Sequence, residues 1–338
     1  MENTAIVAQA MTLKAAADFL GPGAIEVPIF EKEIMDLVRR SSLALQRFKS
    51  PRATGHPHRY FEQTAIATAS AVDPRNLSSS GTTPTRVERP AFIKAVIAQT
   101  NIGLFDKEVT EQQGQFAGVV AKDVDDVLNA IEVKRGQMLW AGTDTSMTTP
   151  TTLEWMGALA QIGTAGGAVT TATVAVGTSI IDGLKTEVAN LVAQQGFVVR
   201  PTAIYLNPIL ADYIDQEAKA SHIELGTMNI TAGVTVKKIS TQAGDLPLIP
   251  DPYMPTDTAG KYNFSAPAAG YKNYYAVIMM ESETEIPYIS GKTDDPKPRL
   301  FQLGLIGNLA GQFVGVKFDT LIIKGATYAH GLVAVQRP

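Results

Sequence analysis

Side chains that commonly perform catalysis or bind metals are scarce in this chain. It contains no cysteine, which excludes disulfides, thiolate metal ligands, iron–sulfur clusters and a cysteine nucleophile. Of its four histidines, His56 and His58 flank a proline, whereas His222 and His330 stand far apart. None of these spacings matches a zinc site. The chain has no Gly-x-Ser-x-Gly segment, so the usual scaffold of a serine hydrolase is also missing.

Two glycine-rich segments resemble nucleotide-binding loops only in part. Residues 291–293 read Gly-Lys-Thr, but Ile286 occupies the position where a phosphate-binding loop has its first glycine. The residues that follow, Asp-Asp-Pro-Lys-Pro, cannot begin the helix that would hold a phosphate. Residues 163–167 (Gly-Thr-Ala-Gly-Gly) lack the spacing of the dinucleotide fingerprint. We interpret them as part of a connector.

Three neighbouring aspartates, Asp123, Asp125 and Asp126, are the remaining candidates for a metal site. They stand at helical spacing and lack the glycine and the terminal glutamate of a calcium loop, which favours a solvated helix face. We therefore predict that the protein is not an enzyme and has no cofactor or metal site. An uncharacterised hydrolase or binding module is the less favoured alternative.

The composition points to association instead. The 338 residues include 29 Lys and Arg and 33 Asp and Glu, giving a net charge of −4, and 18% of the residues are charged. A typical soluble domain has about 25% charged residues, so this surface is poor in charge. Such a surface favours burial against other molecules. The acidic balance argues against a DNA-recognition protein, because such proteins gain affinity by neutralising phosphates with Lys and Arg.

Membrane insertion and export are not indicated. Residues 155–181 carry no charge over 27 positions, but they contain five glycines and five threonines and no flanking basic cluster. We predict a Gly- and Thr-rich connector there. The chain begins without the basic and apolar regions of a signal peptide.

Hydrophobic periodicity defines the main elements. Two strands are predicted over residues 59–69 and 87–100, and the intervening segment makes them a long hairpin. Apolar residues at three- and four-residue steps predict one helix over residues 106–139, capped by Asp106. Ser179 and Asp182 have the spacing of a capping box for the next helix.

The second half of the chain mixes short elements. A strand is predicted over residues 197–206, and Asn207 caps a helix that begins at a proline and has Leu210, Tyr213 and Ile214 on its inner face. Further strands are predicted over residues 234–239, 275–280 and 315–324.

The predicted hairpin differs in charge from the rest of the chain. Residues 49–94 contain seven basic and three acidic side chains, a net charge of +4, which leaves about −8 for the remainder. We interpret the hairpin as electrostatically complementary to the body of another copy of the chain. A merely solvated basic loop is the alternative. The candidate inter-subunit contacts are Arg52, Arg59, Arg75, Arg86 and Arg89.

The order of an arm, a basic hairpin, a long helix, a mixed domain and a final strand region resembles the major capsid protein of tailed bacteriophages, with its Hong Kong 97-like fold. Residues 315–326 (Gly-Val-Lys-Phe-Asp-Thr-Leu-Ile-Ile-Lys-Gly-Ala) resemble the closing strand of that family. The resemblance implies an α+β fold with the following parts: an N-terminal arm (1–45), an extended loop (46–98), a peripheral domain (99–162 and 300–338) with a spine helix (106–139), and an axial domain (163–299).

The resemblance also implies a function. The chain would assemble into hexamers and pentamers that form an icosahedral shell. The shell would be assembled in the host cytoplasm and become part of the virion, and no membrane would be involved. Its partners would be a separate scaffolding protein, a portal at one vertex, decoration proteins and packaged double-stranded DNA, contacted non-specifically. The lysine, asparagine and acid that crosslink some members cannot be mapped onto this sequence. The alternative within the same fold is an encapsulin-like bacterial nanocompartment shell.

Overall fold

The structure is a computed structural model, and it describes residues 42–75, 81–113, 119–165, 170–223, 225–231, 234–291, 295–306 and 310–338. Most of the predicted arm, residues 1–41, lies outside this part of the chain. The helices are α1 (Leu43–Arg47), α2 (Leu104–Gln113), α3 (Val119–Ala141), α4 (Ala158–Ala165), α5 (Ile180–Val192) and α6 (Pro208–Ala220), followed by a short 3₁₀ turn (Glu281–Glu283).

The strands of the first half are β1 (His58–Ala65), β2 (Thr85–Ala91), β3 (Lys94–Gly103), β4 (Thr171–Val174), β5 (Ala203–Leu206), β6 (Thr227–Thr231), β7 (Val234–Thr241) and β8 (Gly244–Pro250). Those of the second half are β9 (Thr256–Asp257), β10 (Lys272–Met279), β11 (Thr284–Glu285), β12 (Tyr288–Ile289), β13 (Arg299–Ile306), β14 (Ala310–Asp319), β15 (Ile322–Ile323) and β16 (Gly331–Arg337). Helices and strands are mixed along the chain, as an α+β fold requires.

An eight-stranded sheet forms the largest layer. Its order is β4-β16-β10-β5-β8-β7-β6, and β9 adds to one end of β10. Strands β4 and β16 are parallel, as are β5 and β8, and the other pairs are antiparallel. Strand β16 comes from the last residues of the chain, so the C-terminal segment returns to this sheet between the edge strand β4 and β10.

Both faces of this sheet are covered, and the alternation of side chains along β10 shows how. Tyr274, Ala276 and Ile278 join the apolar cluster beneath α5 and α6, whereas Tyr275 and Val277 join the cluster that includes Trp140 and Leu159 from α3 and α4. Successive side chains of a strand point to opposite faces. Fully burying one large apolar side chain contributes about 1.5–3 kcal/mol, so this sandwich supplies much of the stability.

The helices on one face begin where the sequence predicts. Asn207 Oδ1 accepts a hydrogen bond from the N–H of Ile209 at 2.9 Å and caps α6, and Ser179 Oγ accepts one from the N–H of Asp182 at 3.1 Å and caps α5. A carboxylate on the neighbouring helix α6 completes the second cap, because Glu217 accepts hydrogen bonds from Ser179 Oγ and from the N–H groups of residues 180 and 181. The two helices are thereby joined at the start of α5.

A second, four-stranded sheet combines β12, β14 and β13 with β3, which pairs along the other side of β14. Helix α3 packs against it. A Cβ at Gly315 of β14 would lie 2.9 Å from side-chain atoms of Ile131 and Val127, so glycine allows the helix to approach the sheet closely.

Several predicted boundaries are wrong. The predicted strand 87–100 is divided at Phe92 between β2, which pairs with β1, and β3, which pairs with β14. Both halves keep the alternation of a strand, so the pattern could not reveal the change of sheet. Helix α2 begins at Leu104, directly after β3, which places Asp106 inside the helix and not at its cap. The described part of the predicted helix 106–139 comprises α2 and α3, and residues 114–118 lie outside it.

Other segments differ from the predictions as well. The strand predicted over 197–206 is confirmed only for β5, and the strand predicted over 315–324 ends at Asp319 before β15 begins. The connector predicted over 155–181 contains α4 and β4, because Leu159 and Ile162 are fully buried and their packing outweighs the weak helix propensity of this segment. Among the described residues, no helix combines the length and the apolar composition needed to cross a bilayer.

Candidate inter-subunit surfaces

The hairpin formed by β1 and β2 has two chemically different faces. His58 pairs with Ala91 and the register continues to Glu62 opposite Val87, so even-numbered residues of β1 share one face. On this inner face Tyr60 is buried with Ala91 and with Ile322 of the body. The outer face presents Phe61, which is 70% exposed. Burial of the Tyr60 hydroxyl raises its pKa above the ordinary tyrosine value.

One carboxylate joins the hairpin to the body above this apolar contact. Glu62 Oε1 accepts a hydrogen bond from the N–H of Gly325 at 2.8 Å, and Glu62 Oε2 lies 3.1 Å from Nε of Arg89 on the opposite strand. Beyond Glu62 the hairpin extends away from the body, and residues 65–75 and 81–86 are exposed. The outer half of the hairpin is therefore free to contact another molecule.

The five predicted arginines occupy three kinds of environment. Arg59 forms an ion pair with Glu88 at 2.7 Å, and Arg89 forms its pair with Glu62. Arg52 donates a hydrogen bond from NH2 to the carbonyl oxygen of Gly291 at 2.5 Å. The remaining two are Arg75 and Arg86, which are exposed on the hairpin.

The pairs Arg59–Glu88 and Arg89–Glu62 lie within residues 49–94, so they leave its net charge of +4 unchanged but hold four of its charged side chains within the subunit. Arg75 and Arg86 have no side-chain hydrogen bond or ion pair among the residues that the structure describes. Contact between any of the five and a neighbouring subunit remains a prediction.

The base of the hairpin is fixed by a second ion pair. Lys94 at the start of β3 donates to Asp144 Oδ2 at 2.8 Å and to the carbonyl oxygen of Thr152 at 2.5 Å. Asp144 Oδ1 also accepts hydrogen bonds from the N–H and hydroxyl of Thr151. Burial opposes ionisation of Asp144, but the bonds from Lys94 and Thr151 prevail and lower its pKa to about 2. The loop after α3 is thereby joined to the strand that leaves the hairpin.

The segment before the hairpin is attached in a similar way. Arg47 makes a bidentate pair with Glu281, at 2.6 Å from Nε and 2.8 Å from NH2, and Tyr205 donates its hydroxyl to the same carboxylate. Burial opposes ionisation of Glu281, but these bonds prevail and lower its pKa. Phe48 packs edge-on against Tyr205, with 5.6 Å between the ring centroids. Residues 42–53 are therefore attached to the body, and the exposed hairpin follows them.

The junction of α3 with β14 contains buried charges. Arg135 Nε lies 2.8 Å from Asp319 Oδ2, and Arg135 NH1 donates to Glu132 at 2.7 Å. Lys317 lies on the same side of β14, 4.9 Å from the ring centroid of Tyr288, and burial lowers its pKa to about 8. Burial also raises the pKa of Asp319. The cluster joins the helix to the sheet through Arg135, Lys317 and Asp319, which are all buried.

The other face of the four-stranded sheet carries exposed apolar side chains among the described residues. Ile97, Phe301 and Leu303 are 59%, 46% and 43% exposed. Register places Ile97 beside Val316 and Phe301 beside Val314, so these side chains form one continuous surface. This surface was not predicted from the sequence, although apolar residues at both alternating positions of β3 could have indicated a strand that is apolar on both faces.

As far as the structure describes them, the other candidate segments of the sequence form no assembled site. His56 accepts a hydrogen bond from the N–H of Ile93 at 3.4 Å and packs edge-on against Phe92, whereas His330 is fully buried in the body. Gly291 lies in a turn, and the rest of the Gly-Lys-Thr segment lies outside the described residues. Within the described ranges, no group of three or more histidines and acids could hold a metal ion.

Comparisons with known proteins agree on one architecture. No protein-family model and no curated protein sequence matches the chain. Among solved structures, it is similar to the capsid of a native GTA particle, with a TM-score of 0.61, 12% identity, and coverage of 94% of this chain and 97% of that one. The cyanophage A-1(L) capsid gives a TM-score of 0.61 at 10% identity, with coverage of 92% and 97%.

A shell of another kind matches equally well. The SrpI encapsulin of Synechococcus elongatus PCC 7942 gives a TM-score of 0.58 at 11% identity, with coverage of 95% of this chain and 94% of that one. The matched proteins are shell proteins, and the similarity extends over almost the whole length of each. At these identities the similarity establishes the fold. The chain has the Hong Kong 97-like fold of phage capsid and encapsulin shell proteins.

Proposed function

We propose that this chain is the major capsid protein of a tailed bacteriophage, which assembles as hexamers and pentamers into an icosahedral shell around double-stranded DNA. One observation carries the proposal: an exposed hairpin projects from a body whose fold is shared, over more than nine-tenths of the chain, with capsid proteins. A segment that extends beyond its own subunit contacts a different surface on the next copy. Such heterologous contacts close into rings and shells.

The surface chemistry supports assembly without enzymatic activity. The sheet face with exposed apolar side chains around Ile97 and Phe301 is a further candidate contact surface. In this proposal the arm is residues 1–45, the extended loop 46–98, the peripheral domain 99–162 and 300–338, and the axial domain 163–299, with β16 returning to the large sheet. Because the chain is acidic overall, packaged DNA is held by confinement and makes few phosphate contacts.

The proposed partners follow from a large DNA-filled shell. They are a separate scaffolding protein, a portal at one vertex and decoration proteins, and the shell is assembled in the host cytoplasm and carried in the virion. An encapsulin-like compartment is the second candidate, because the SrpI encapsulin matches this chain with nearly the same TM-score as the capsids. Cargo distinguishes the two: a compartment encloses protein, and a phage head encloses DNA.

The test is electron microscopy of the purified full-length chain, together with sedimentation over a range of protein concentration and salt. We expect pentamers, hexamers or closed shells, with large angular particles for a phage head. Small shells filled with protein would favour the encapsulin alternative. A protein that remains monomeric under all conditions and turns over a substrate would overturn both candidates.

A further inference from the structure

The inner face of the hairpin is not packed tightly onto the body. An open cleft of about 260 Å³ lies between them, lined by Tyr60, Glu62 and Arg89 from the hairpin and by Met147, Met156 and Ile323 from the body. A cleft of this size admits water, so the side chains that line it do not pack against one another across it. Among the described residues, the buried apolar contact between the hairpin and the body lies at Tyr60, near the base of the hairpin.

Glu62 spans the space above that contact. Its side chain is only 10% exposed, and its two oxygens bind different partners, the N–H of Gly325 on the body and Arg89 on β2. Among the described residues it is the outermost residue of the hairpin that makes a hydrogen bond to the body. Hydrogen bonds to a charged group are shorter and stronger than neutral ones.

The donor on the body is held firmly. Gly325 has φ +68, and its carbonyl oxygen accepts hydrogen bonds from the N–H groups of Tyr328 at 3.0 Å and Ala329 at 2.8 Å. The Tyr328 ring stacks on Phe197, with 3.8 Å between the centroids. A Cβ at position 325 would lie 2.9 Å from the Tyr328 ring, so only glycine fits this turn. The N–H group of Gly325, which donates a hydrogen bond to Glu62, is thus fixed relative to the body.

The same hairpin contains a second ion pair that can serve as a comparison. Arg59 and Glu88 form a diagonal pair of the same type on the outer face, with side chains 62% and 41% exposed. Among the described residues, neither of them makes a hydrogen bond or an ion pair with the body. The two pairs therefore share their chemistry and differ in whether one member reaches across to the body.

We propose that Glu62 is a positioning residue for assembly: its bridge from Arg89 to the N–H of Gly325 fixes the direction in which the hairpin leaves the body. The inference rests on the proposed function, since a fixed direction matters only if the hairpin binds a neighbouring subunit. The ordering entropy of the hairpin is then lost during folding and not during assembly, which favours binding.

The absence of cysteine makes a direct measurement possible. Ala71→Cys on the outer hairpin and Ala130→Cys on the exposed side of α3 can both carry spin labels, and pulsed electron paramagnetic resonance then measures the distribution of distances between them. The full-length chain is compared with Glu62→Gln and Glu62→Ala. The control is Glu88→Gln, which breaks the outer pair.

We expect the distance distribution to broaden in Glu62→Ala, to broaden less in Glu62→Gln, which can still accept from Gly325, and to remain narrow in Glu88→Gln. The concentration needed for assembly should rise about tenfold in Glu62→Ala, as for the loss of one charged hydrogen bond. The thermal midpoint of the subunit should change little, because the eight-stranded sheet and the helices that cover it are not altered.

Two results would overturn the inference. A distribution that stays narrow in Glu62→Ala would show that the carboxylate does not fix the hairpin, while assembly of the unmodified chain would leave the proposed function intact. A broadened distribution with unchanged assembly would show that the direction of the hairpin does not matter for the shell. Failure of the unmodified chain to assemble would instead contradict the proposed function itself.

Discussion

The hairpin and the body of the subunit use charged side chains in opposite ways. In the body, Arg135 and Asp319 are buried and form an ion pair, and Arg135 also donates a hydrogen bond to Glu132. On the hairpin, Arg75 and Arg86 lie at the surface, and the pair of Arg59 and Glu88 is also exposed. Body charges therefore bear on stability, whereas hairpin charges remain available for contacts outside the subunit. The low overall charge of the chain conceals these two uses.

The largest expected effect tests the body side of this contrast. Asp319→Ala removes one of the two carboxyl groups beside Arg135 at the junction of α3 and β14 and leaves Glu132 as its acidic partner. Removing one partner of a buried ion pair costs up to about 3–5 kcal/mol of unfolding free energy, which denaturant titration measures. Asp126→Ala is the control, since it removes the exposed partner of Lys122 on the same helix, where about 0.5 kcal/mol is at stake. Equal losses in the two variants would contradict the contrast.

A second body prediction depends on pH. Glu187 on α5 is 1% exposed, and burial raises its pKa from 4.5 to about 7. Well below pH 4.5 the carboxyl is neutral in both the folded and the unfolded state, so its ionisation does not affect the unfolding free energy. As the pH rises towards 7, the carboxyl ionises more readily in the unfolded chain than in the folded one, and the unfolding free energy falls. Glu187→Gln should therefore raise the unfolding free energy above pH 7 by about 2–3 kcal/mol and change it little in acid.

The measurement is a series of thermal or denaturant unfolding curves across that pH range. Asp182→Asn, at an exposed position of the same helix, should not reproduce the effect. A stability gain for Glu187→Gln that is the same at every pH would show that ionisation of the buried carboxyl is not its cause.

The smallest expected effect on stability belongs to the hairpin, where the effect on assembly should be clear. Arg75→Glu with Arg86→Glu should alter the unfolding free energy by less than about 0.5 kcal/mol, because exposed substitutions of this kind are nearly neutral. Assembly should weaken, and more so at low salt, where charges are least screened. Sedimentation at several salt concentrations measures it.

Arg59→Glu is a comparison variant with the same change of sign at an arginine that is paired within the subunit. It places a carboxylate beside Glu88 on the same face, so any effect on assembly combines lost attraction to a neighbour with repulsion inside the hairpin. Normal assembly of the Arg75 and Arg86 variant at every salt concentration would show that these charges do not guide the subunits together.

Local signals predicted parts of this fold well. The caps at Ser179 and Asn207 are set by side chains next to the helices that they begin, so the sequence could indicate both. The division between β2 and β3 depends on which distant strand each one meets, and their alternation is the same on either side of Phe92. Neighbouring residues contain no information about that choice.

The bridging carboxylates show a similar limit. Glu217 and Glu62 look like ordinary surface acids in the sequence, yet each accepts hydrogen bonds from backbone N–H groups of a distant segment. Charge counting predicted a basic hairpin, but it could not show that Arg59 and Arg89 are paired within the subunit. Contacts between elements far apart in sequence become visible only when the chain is folded.

The bridge at Glu62 also has a mechanical consequence. An extended strand rises about 3.3 Å per residue, so Ala71 lies up to about 30 Å beyond Glu62 along the hairpin. By simple trigonometry, a rotation of about 10° at the bridge displaces that tip by about 5 Å, roughly the spacing between neighbouring strands. A small angular error at one carboxylate thus becomes a whole strand spacing where two subunits would meet. The curvature of a shell built from such arms would depend on how stiff this single joint is.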